Sequence, residues 1–200
     1  MEYLLATTPW SGVILWILLY LSDYYLTIYS ARGFREIGHF QFEGSFELTP
    51  QYQKDVDALK PISKLHITLL VLYSLLILFL WWLTKRLTLF FPLTYLLYLG
   101  MFVLLEVAIH FRHLRNIFLI REVRKNGGME GQISYRQWFS YRISAGDFYL
   151  FALLFLIVAI LSYSPFFLGG ALMCLGNGIK HSRLAKRAKS SPVPAVETQI

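Results

Sequence analysis

Long apolar runs alternate with polar segments along this chain, and the alternation predicts helices that cross a membrane. A helix needs about 20 mostly apolar residues to span the hydrocarbon core of a bilayer. Thr8-Pro9 and Ser164-Pro165 are helix start signals, because threonine or serine suits the cap and proline the first helical position. The predicted spans are residues 9–30, 65–83, 89–111, 145–163 and 165–183.

Local signals refine the ends of these helices. Thr88 can cap the third, and SAGD predicts that the fourth begins at Ser144 with Asp147 as its capping residue. Pro165 is poorly tolerated inside a helix, which favours a turn there and a separate fifth helix. The third helix is predicted to continue beyond the membrane to Asn126, because Gly127 follows as a stop signal.

Two long loops, residues 31–64 and 112–143, carry predicted structure of their own. A short helix beginning at Pro50 places Tyr52, Val56 and Leu59 on one face, which predicts that it lies on the membrane surface. HFQFEGSF is typical of a short strand or an interfacial loop, and SYRQWFSYR of another interfacial helix. The polar tail, residues 185–200, is predicted to be disordered.

The composition supports a membrane protein. Of the 200 residues, 56% are hydrophobic and only 16% are charged, whereas soluble domains carry about 25% charged residues. The single cysteine, Cys174, excludes an internal disulfide and any zinc site built from cysteine pairs. The predicted fold class is all-α: a polytopic helical bundle with five transmembrane helices in residues 1–184.

The basic residues predict the orientation of the bundle. With the amino terminus outside, the segments 31–64, 112–143 and 180–200 face the cytoplasm and hold 17 of the 19 Lys and Arg. Four spans would place the basic tail on the opposite side from the basic loop 112–143, against the positive-inside rule. We therefore expect a cytoplasmic carboxyl terminus in the plasma (cell inner) membrane. The net charge of +7 is explained without nucleic acid as a partner.

Ionisable residues inside the spans are costly and indicate candidate chemistry. Asp23 shares one face of the first helix with Tyr20, Thr27 and Ser30.

On the third helix, Glu106, His110 and His113 follow at i, i+4 and i+7, and therefore form one stacked face. His66, Asn177 and His181 mark the same depth on other helices. Carboxylates and imidazoles suit a divalent transition metal such as zinc or iron. Asp23, Glu106, His110 and His113 are thus candidate metal ligands, and the two acids are also candidate catalytic groups.

Each candidate has a structural alternative. The histidines suit hydrogen bonding at the interface, and Asp23 and Glu106 suit an interhelical hydrogen bond. The basic residues of loop 112–143 are orientation signals and candidate contacts for anionic lipid head groups; these candidates are Arg112, Arg115 and Arg121. On the fifth helix, the small residues Gly170, Cys174 and Gly178 predict close helix packing.

Three functional hypotheses follow from this distribution. The outer halves of the spans carry no ionisable residue, which favours a polar or metal-binding site in the cytoplasmic half that acts on a lipid-like or phosphorylated substrate. The alternative is an accessory membrane protein whose inner loops dock a partner. The third hypothesis is a small-solute transporter or an oligomeric channel. Expected partners are the bilayer, its anionic head groups and further copies of the chain.

Overall fold

Five helices of 24 residues or more dominate the structure. A computed structural model of the chain describes residues 2–87 and 89–190. In chain order, the elements are α1 Glu2–Thr7, α2 Pro9–Ile37, β1 Phe40–Phe42, α3 Pro50–Asp57, α4 Lys64–Leu87, α5 Leu93–Asn126, β2 Ile133–Tyr135, α6 Gln137–Ser162 and α7 Pro165–Ser190.

The predicted all-α fold class and the long apolar helices are confirmed. Within the described residues, four helices are long and apolar enough to cross a membrane, namely α2, α4, α5 and α6. The fifth long helix, α7, has the same length as α6, but its carboxyl half is polar and basic.

The helices α2, α5 and α7 run in the same direction, with α5 packed between the other two. Gly12 and Gly33 of α2 face Leu99 and Ile120 of α5, so residue numbers rise together along the pair. In the same way, Phe166 and Gly170 of α7 lie against Gly100 and Leu104 of α5.

The helices α4 and α6 run in the opposite direction. In the α2–α4 pair, the ring centroids of Trp16 and Tyr73 lie 5.8 Å apart, and those of Tyr20 and His66 lie 4.2 Å apart. In the α6–α7 pair, Phe155 meets Phe167 while the earlier Phe148 meets the later His181. The five helices therefore alternate in direction along the chain.

The predicted close packing of the fifth helix is confirmed by its glycines. Gly170 lies against the side chain of Leu104 on α5, and Gly178 lies against the ring of Tyr149 on α6. Cys174, between them, is fully buried. A stripe of small residues thus lets α7 approach two helices at once.

A backbone contact between α5 and α7 was not predicted from the sequence. A side chain at Gly169 would collide with the backbone carbonyl of Leu97, and one at Gly100 would collide with the carbonyl of Phe166. The α5 and α7 backbones are therefore in direct contact at these two glycines.

Several predicted helix ends are corrected. The third helix begins at Leu93, not at residue 89, because Pro92 suits a helix boundary better than a helix interior. Its predicted cap, Thr88, lies outside the described residues. The predicted end at Asn126 is confirmed, with Gly127 at a φ of 67°. The first long helix continues beyond the predicted span to Ile37.

The predicted start of the fourth helix was wrong. The helix α6 begins at Gln137, so Ser144 and Asp147 lie in its interior and form no capping box. The first residues of SYRQWFSYR belong to β2, and the part from Gln137 offers no proline or glycine to break the helix, so it joins the apolar run. Residues 185–190 of the predicted disordered tail belong to α7, and the rest of the tail lies outside the described residues.

The predicted short helix α3 exists but does not present its apolar face to the membrane. Val56 is buried in a cluster with Tyr24, Ile28 and Ala31 of α2, and Tyr52 and Leu59 pack against that cluster. Burial against α2 removes this apolar face from water and so stabilises α3. A membrane surface would stabilise the helix for the same reason.

The two long loops meet in a small parallel sheet. In this sheet, Phe40 pairs with Ile133 and Phe42 pairs with Tyr135. Outside the sheet, His39 Nδ1 contacts the Gly131 carbonyl oxygen at 2.7 Å. The sheet and α3 therefore cover the end of the bundle at which α4 and α6 begin.

Candidate functional site

A cavity of about 570 Å³ lies beneath this cover, between the ends of all five long helices. Its helical walls carry Asp23 from α2, His66 from α4, Glu106 from α5, Ser144 from α6 and His181 from α7. The cavity therefore brings together polar residues of separate helices, among them the predicted candidates Asp23 and Glu106.

The α2 side of the cavity holds a carboxylate–imidazole pair. Asp23 Oδ1 lies 2.8 Å from His113 Nε2, and Thr27 Oγ1 lies 3.2 Å from the same nitrogen. The other ring nitrogen of His113 is buried and has no hydrogen-bond partner. The carboxylate fixes the ring, and Nδ1 stays available for a further partner.

His110 does not belong to this cavity. Its Nδ1 donates to the Glu106 carbonyl oxygen at 2.7 Å, and its Nε2 lies 2.7 Å from Ser22 Oγ. Both ring nitrogens are therefore engaged, and His110 joins α5 to α2 through hydrogen bonds.

Glu106 lies on the cavity wall and is only 3% exposed. Its Oε2 is buried without a hydrogen-bond partner, and among the described residues Glu106 joins no ion pair. The charged residue that acts on it is Asp23, another acid. The cavity therefore holds two neighbouring carboxyl groups, and the His113 imidazole pairs with one of them, Asp23.

The α6 side of the cavity is basic. Arg112 Nε lies 3.4 Å from Asp147 Oδ2, and the guanidinium lies 5.2 Å from the centre of the Phe148 ring. Asp147 also accepts two hydrogen bonds from Arg115, at 3.1 and 3.2 Å. Two arginines thus share one carboxylate. The Arg112 Nε–Asp147 contact is an ion pair without hydrogen-bond geometry, because Nε has no hydrogen-bond partner.

The helix α7 adds to this basic side. Lys180 and His181 line the cavity. The positive charges of Lys180 and Arg112 both act on the His181 imidazole. Lys180 forms no ion pair with any described residue. Asn177 also lines the cavity, although its Nδ2 is engaged with the Met173 carbonyl at 3.0 Å.

Buried polar atoms without a protein partner concentrate at this cavity. Ten such side-chain atoms occur in the described part of the chain, and six belong to residues of the cavity wall. These six are His66 Nε2, Glu106 Oε2, Arg112 Nε, His113 Nδ1, Ser144 Oγ and His181 Nδ1. An unsatisfied buried polar group costs about 1–3 kcal/mol, so such a concentration indicates a site for a polar ligand.

The covering loops make the outer part of the cavity aromatic. Phe34 at the end of α2 contacts Phe40, Phe42 and Phe46 at centroid distances of 5.0–5.6 Å. Tyr135 of β2 stacks on Phe42 at 5.5 Å. All five residues line the cavity. The cavity therefore joins a polar interior to an apolar aromatic rim.

Glu47 lines the cavity from the covering loop and was not predicted from the sequence. Its Oε1 accepts a hydrogen bond from the backbone N–H of Thr49 at 2.7 Å. Tyr141 of α6 donates to the Leu48 carbonyl at 3.1 Å, which ties the loop to the bundle. The FELTP segment of the sequence showed only a helix start; the fold alone aims its glutamate inward.

The predicted sites have mixed outcomes. Asp23, Glu106, His113, Arg112 and Arg115 line the cavity. His110 does not, and Arg121 is exposed outside the cavity. No group of three or more His, Cys, Asp or Glu in the described ranges has the arrangement of a metal site, and the metal hypothesis stays a prediction.

Comparison with known proteins adds no assignment. No protein-family model, curated protein or solved structure matches this chain. Function is therefore inferred from the cavity and its residues.

We expect Glu47 to give the protein a pH-dependent stability. Burial raises the pKa of Glu47, while the hydrogen bond from Thr49 opposes the shift. A raised carboxyl pKa stabilises the fold fully below the unfolded value of about 4.3 and loses that contribution as the pH rises through the folded value. Relative to Glu47→Gln, the wild type should therefore lose stability as the pH rises above about 4.3.

Denaturant unfolding in detergent at a series of pH values measures this difference. Glu130→Gln, which removes an exposed carboxyl outside the cavity, is the matched control. Parallel stability curves for the wild type and Glu47→Gln would contradict the burial of this carboxyl group.

Proposed function

We propose that this protein is an integral membrane protein whose cytoplasmic-side cavity binds the anionic group of a lipid-like or phosphorylated amphiphile. The observation that carries the proposal is Arg112, which lies in the cavity wall beside five other residues with unsatisfied buried polar atoms.

The alternating helix directions support five spans. The helix α7 lies along both α5 and α6, in backbone contact with α5 at Gly169 and Gly100. If α5 and α6 cross the bilayer, α7 lies at the same depth. Its lower hydropathy is consistent with this position, because glycines face the neighbouring helices and basic residues follow in the last turns.

The charge distribution supports a cytoplasmic cavity. The basic loops and the basic end of α7 all lie at the cavity end of the bundle, and the positive-inside rule assigns that end to the cytoplasm. In this orientation, the amino terminus is outside and the carboxyl terminus is in the cytoplasm. The site is then accessible from the cytosol or the inner leaflet of the plasma membrane.

The chemistry of the basic side supports an anionic ligand. Arg112, Arg115 and Lys180 outnumber the carboxylates on their side of the cavity, Asp147 and Glu47. A guanidinium recognises phosphate or carboxylate through paired hydrogen bonds, and such charge-assisted bonds are about twice as strong as neutral ones. The aromatic rim supports an apolar portion on the same ligand, because aromatic side chains bind apolar surface at a cavity mouth.

A titration of purified protein with lipids tests the proposal. Thermal stability and native mass spectrometry in detergent would compare phosphatidylglycerol with uncharged diacylglycerol. We expect phosphatidylglycerol alone to bind, and Arg112→Gln to weaken its binding at least about tenfold, because a hydrogen bond to a charged group is worth about 1.5–3 kcal/mol.

The matched control is Arg121→Gln, which removes an exposed arginine from the same helix outside the cavity. It should bind phosphatidylglycerol as the wild type does. Equal binding of both lipids, or an equal loss in both variants, would overturn the proposal and favour an accessory protein that docks a partner through its loops.

A further inference from the structure

The cavity carries charge of opposite sign on its two sides. On the α2 side lie Asp23 and Glu106; Asp23 contacts the imidazole of His113 and acts electrostatically on that of His66. On the side of α6 and α7, the three cations Arg112, Arg115 and Lys180 outnumber the two carboxylates: Asp147, which both arginines share, and Glu47, which acts on Arg112. One side thus has an excess of negative charge and the other an excess of positive charge. A ligand that is only an anion would neutralise only the basic side.

The acidic side needs a hydrogen-bond donor. Glu106 Oε2 is buried without a partner among the described residues, and the charged group that acts on Glu106 is the like-charged Asp23. Asp23 Oδ1 already contacts His113 Nε2 at 2.8 Å. A buried carboxylate is stabilised when it accepts charge-assisted hydrogen bonds, so a ligand cation with N–H groups fits this side.

The two sides belong to one continuous cavity. Tyr20 and Asp23 of α2 line it together with Arg112 of α5 and His181 of α7. The volume of about 570 Å³ is in the range of small-molecule sites, about 300–1,000 Å³. One head group with two charges can therefore contact both sides.

We propose that the ligand is a phosphate-linked primary amine, of the type found in the phosphoethanolamine head group, with its phosphate at Arg112 and Lys180 and its ammonium at Glu106 and Asp23. This inference rests on the proposed function, because it assigns the anionic end to the same arginine. It adds that the other end of the ligand is a primary ammonium group.

A primary ammonium differs here from a quaternary one. The ammonium group offers three N–H donors, whereas a trimethylated nitrogen offers none. Quaternary ammonium groups are recognised by the faces of surrounding aromatic rings, but the rings nearest this side stack on each other: Tyr20 and His66 lie 4.2 Å apart, with their planes inclined by 3°. The acceptors on this side therefore select a nitrogen that carries hydrogen.

The test compares three lipids on the full-length protein in detergent. Phosphatidylethanolamine carries phosphate and a primary ammonium, phosphatidylcholine carries phosphate and a quaternary ammonium, and phosphatidylglycerol carries phosphate alone. Native mass spectrometry would give their relative affinities. We expect phosphatidylethanolamine to bind at least about tenfold more tightly than the other two, which corresponds to one charge-assisted hydrogen bond of about 1.5 kcal/mol.

The variants separate the two ends of the ligand. Glu106→Gln should reduce the preference for phosphatidylethanolamine to less than about threefold, because the neutral amide no longer offers the ammonium a charge-assisted hydrogen bond. Arg112→Gln should weaken all three lipids. Glu122→Gln, which removes a carboxyl outside the cavity on the same helix, is the matched control and should keep the preference.

The outcomes distinguish this inference from the proposed function. Equal binding of the three lipids with sensitivity to Arg112→Gln overturns the inference and leaves the proposed function standing. A preference that survives Glu106→Gln also overturns it. Binding of none of the lipids overturns both.

Soluble O-phosphoethanolamine and glycerol phosphate identify the source of the head group. Competition by O-phosphoethanolamine alone supports a free head group as a ligand of the same site. Binding that requires the lipid chains supports the membrane as the source, with the chains at the aromatic rim.

Discussion

Gly169→Ala is expected to lower the free energy of unfolding by about 3 kcal/mol or more, the upper range for overpacking a filled core. The new methyl group would occupy space held by the backbone carbonyl of Leu97, and backbone atoms cannot rotate away as a side chain can. The helices α5 and α7 would have to separate, and this would disturb the contacts of neighbouring Gly170 as well.

Gly176→Ala is the matched control for this prediction. Gly176 lies on the same helix, but a methyl group there meets nothing within 4 Å. Alanine has the higher helix propensity by about 1 kcal/mol, so this variant should be as stable as the wild type or slightly more stable. Denaturant or thermal unfolding in detergent would measure both. Equal stability of the two variants would contradict the direct contact between the α5 and α7 backbones.

Asp147→Asn is expected to lower the free energy of unfolding by about 3 kcal/mol, because it leaves a largely buried guanidinium without its counter-charge. The Arg112 side chain is 24% exposed, and the Asp147 side chain is 16% exposed. Arg115 loses its partner too, but its side chain is 56% exposed and water can replace the carboxylate.

A second substitution shows whether Arg112 causes this loss. Arg112→Met combined with Asp147→Leu removes both charges from the apolar surroundings and should recover at least half of the stability lost by Asp147→Asn. As a matched control, Glu36→Gln breaks the exposed pair of Glu36 with Arg124 between α2 and α5, and should cost less than about 1 kcal/mol. Additive losses from Arg112→Met and Asp147→Asn would show that the two residues are not coupled.

The role of Asp147 shows a limit of local sequence patterns. SAGD satisfies the residue types of a capping box, yet the helix already begins at Gln137, so Ser144 lies in its interior and its amide is not free to donate a hydrogen bond to Asp147. The partners that Asp147 has instead, Arg112 and Arg115, are distant in sequence. A pattern of four residues contains no information about such partners.

Helical periodicity predicted which residues of the candidate site share a face of one helix. Spacing placed Glu106, His110 and His113 on one stacked face of one helix. The structure divides that face: His110 is satisfied by Ser22 and the Glu106 carbonyl, whereas His113 pairs with Asp23 and faces the cavity. Which neighbour each residue meets depends on the rotation of α5 against α2, and periodicity does not specify that rotation.

The covering loops were the least predictable part. The face of α3 that carries Val56 is apolar in the sequence, and an apolar face suits a membrane surface and a neighbouring helix equally well. Glu47 was overlooked because a glutamate beside a helix start is usually exposed. Contacts between distant segments hold this loop over the cavity, among them the pairing of β1 with β2 and the hydrogen bond from Tyr141 to the Leu48 carbonyl.

The sequence by itself determined that this is a bundle of long apolar helices, because burying so many apolar residues requires a non-aqueous solvent and helices satisfy their own backbone hydrogen bonds there. It also determined the starts at Pro9 and Pro165 and the depth of the ionisable residues along their helices. The tertiary structure alone decided that Glu106 and Arg112 belong to one cavity with opposite charge on its two sides. Contacts between helices depend on how side chains of distant segments interlock, and close packing selects one rotation among several that the apolar pattern permits.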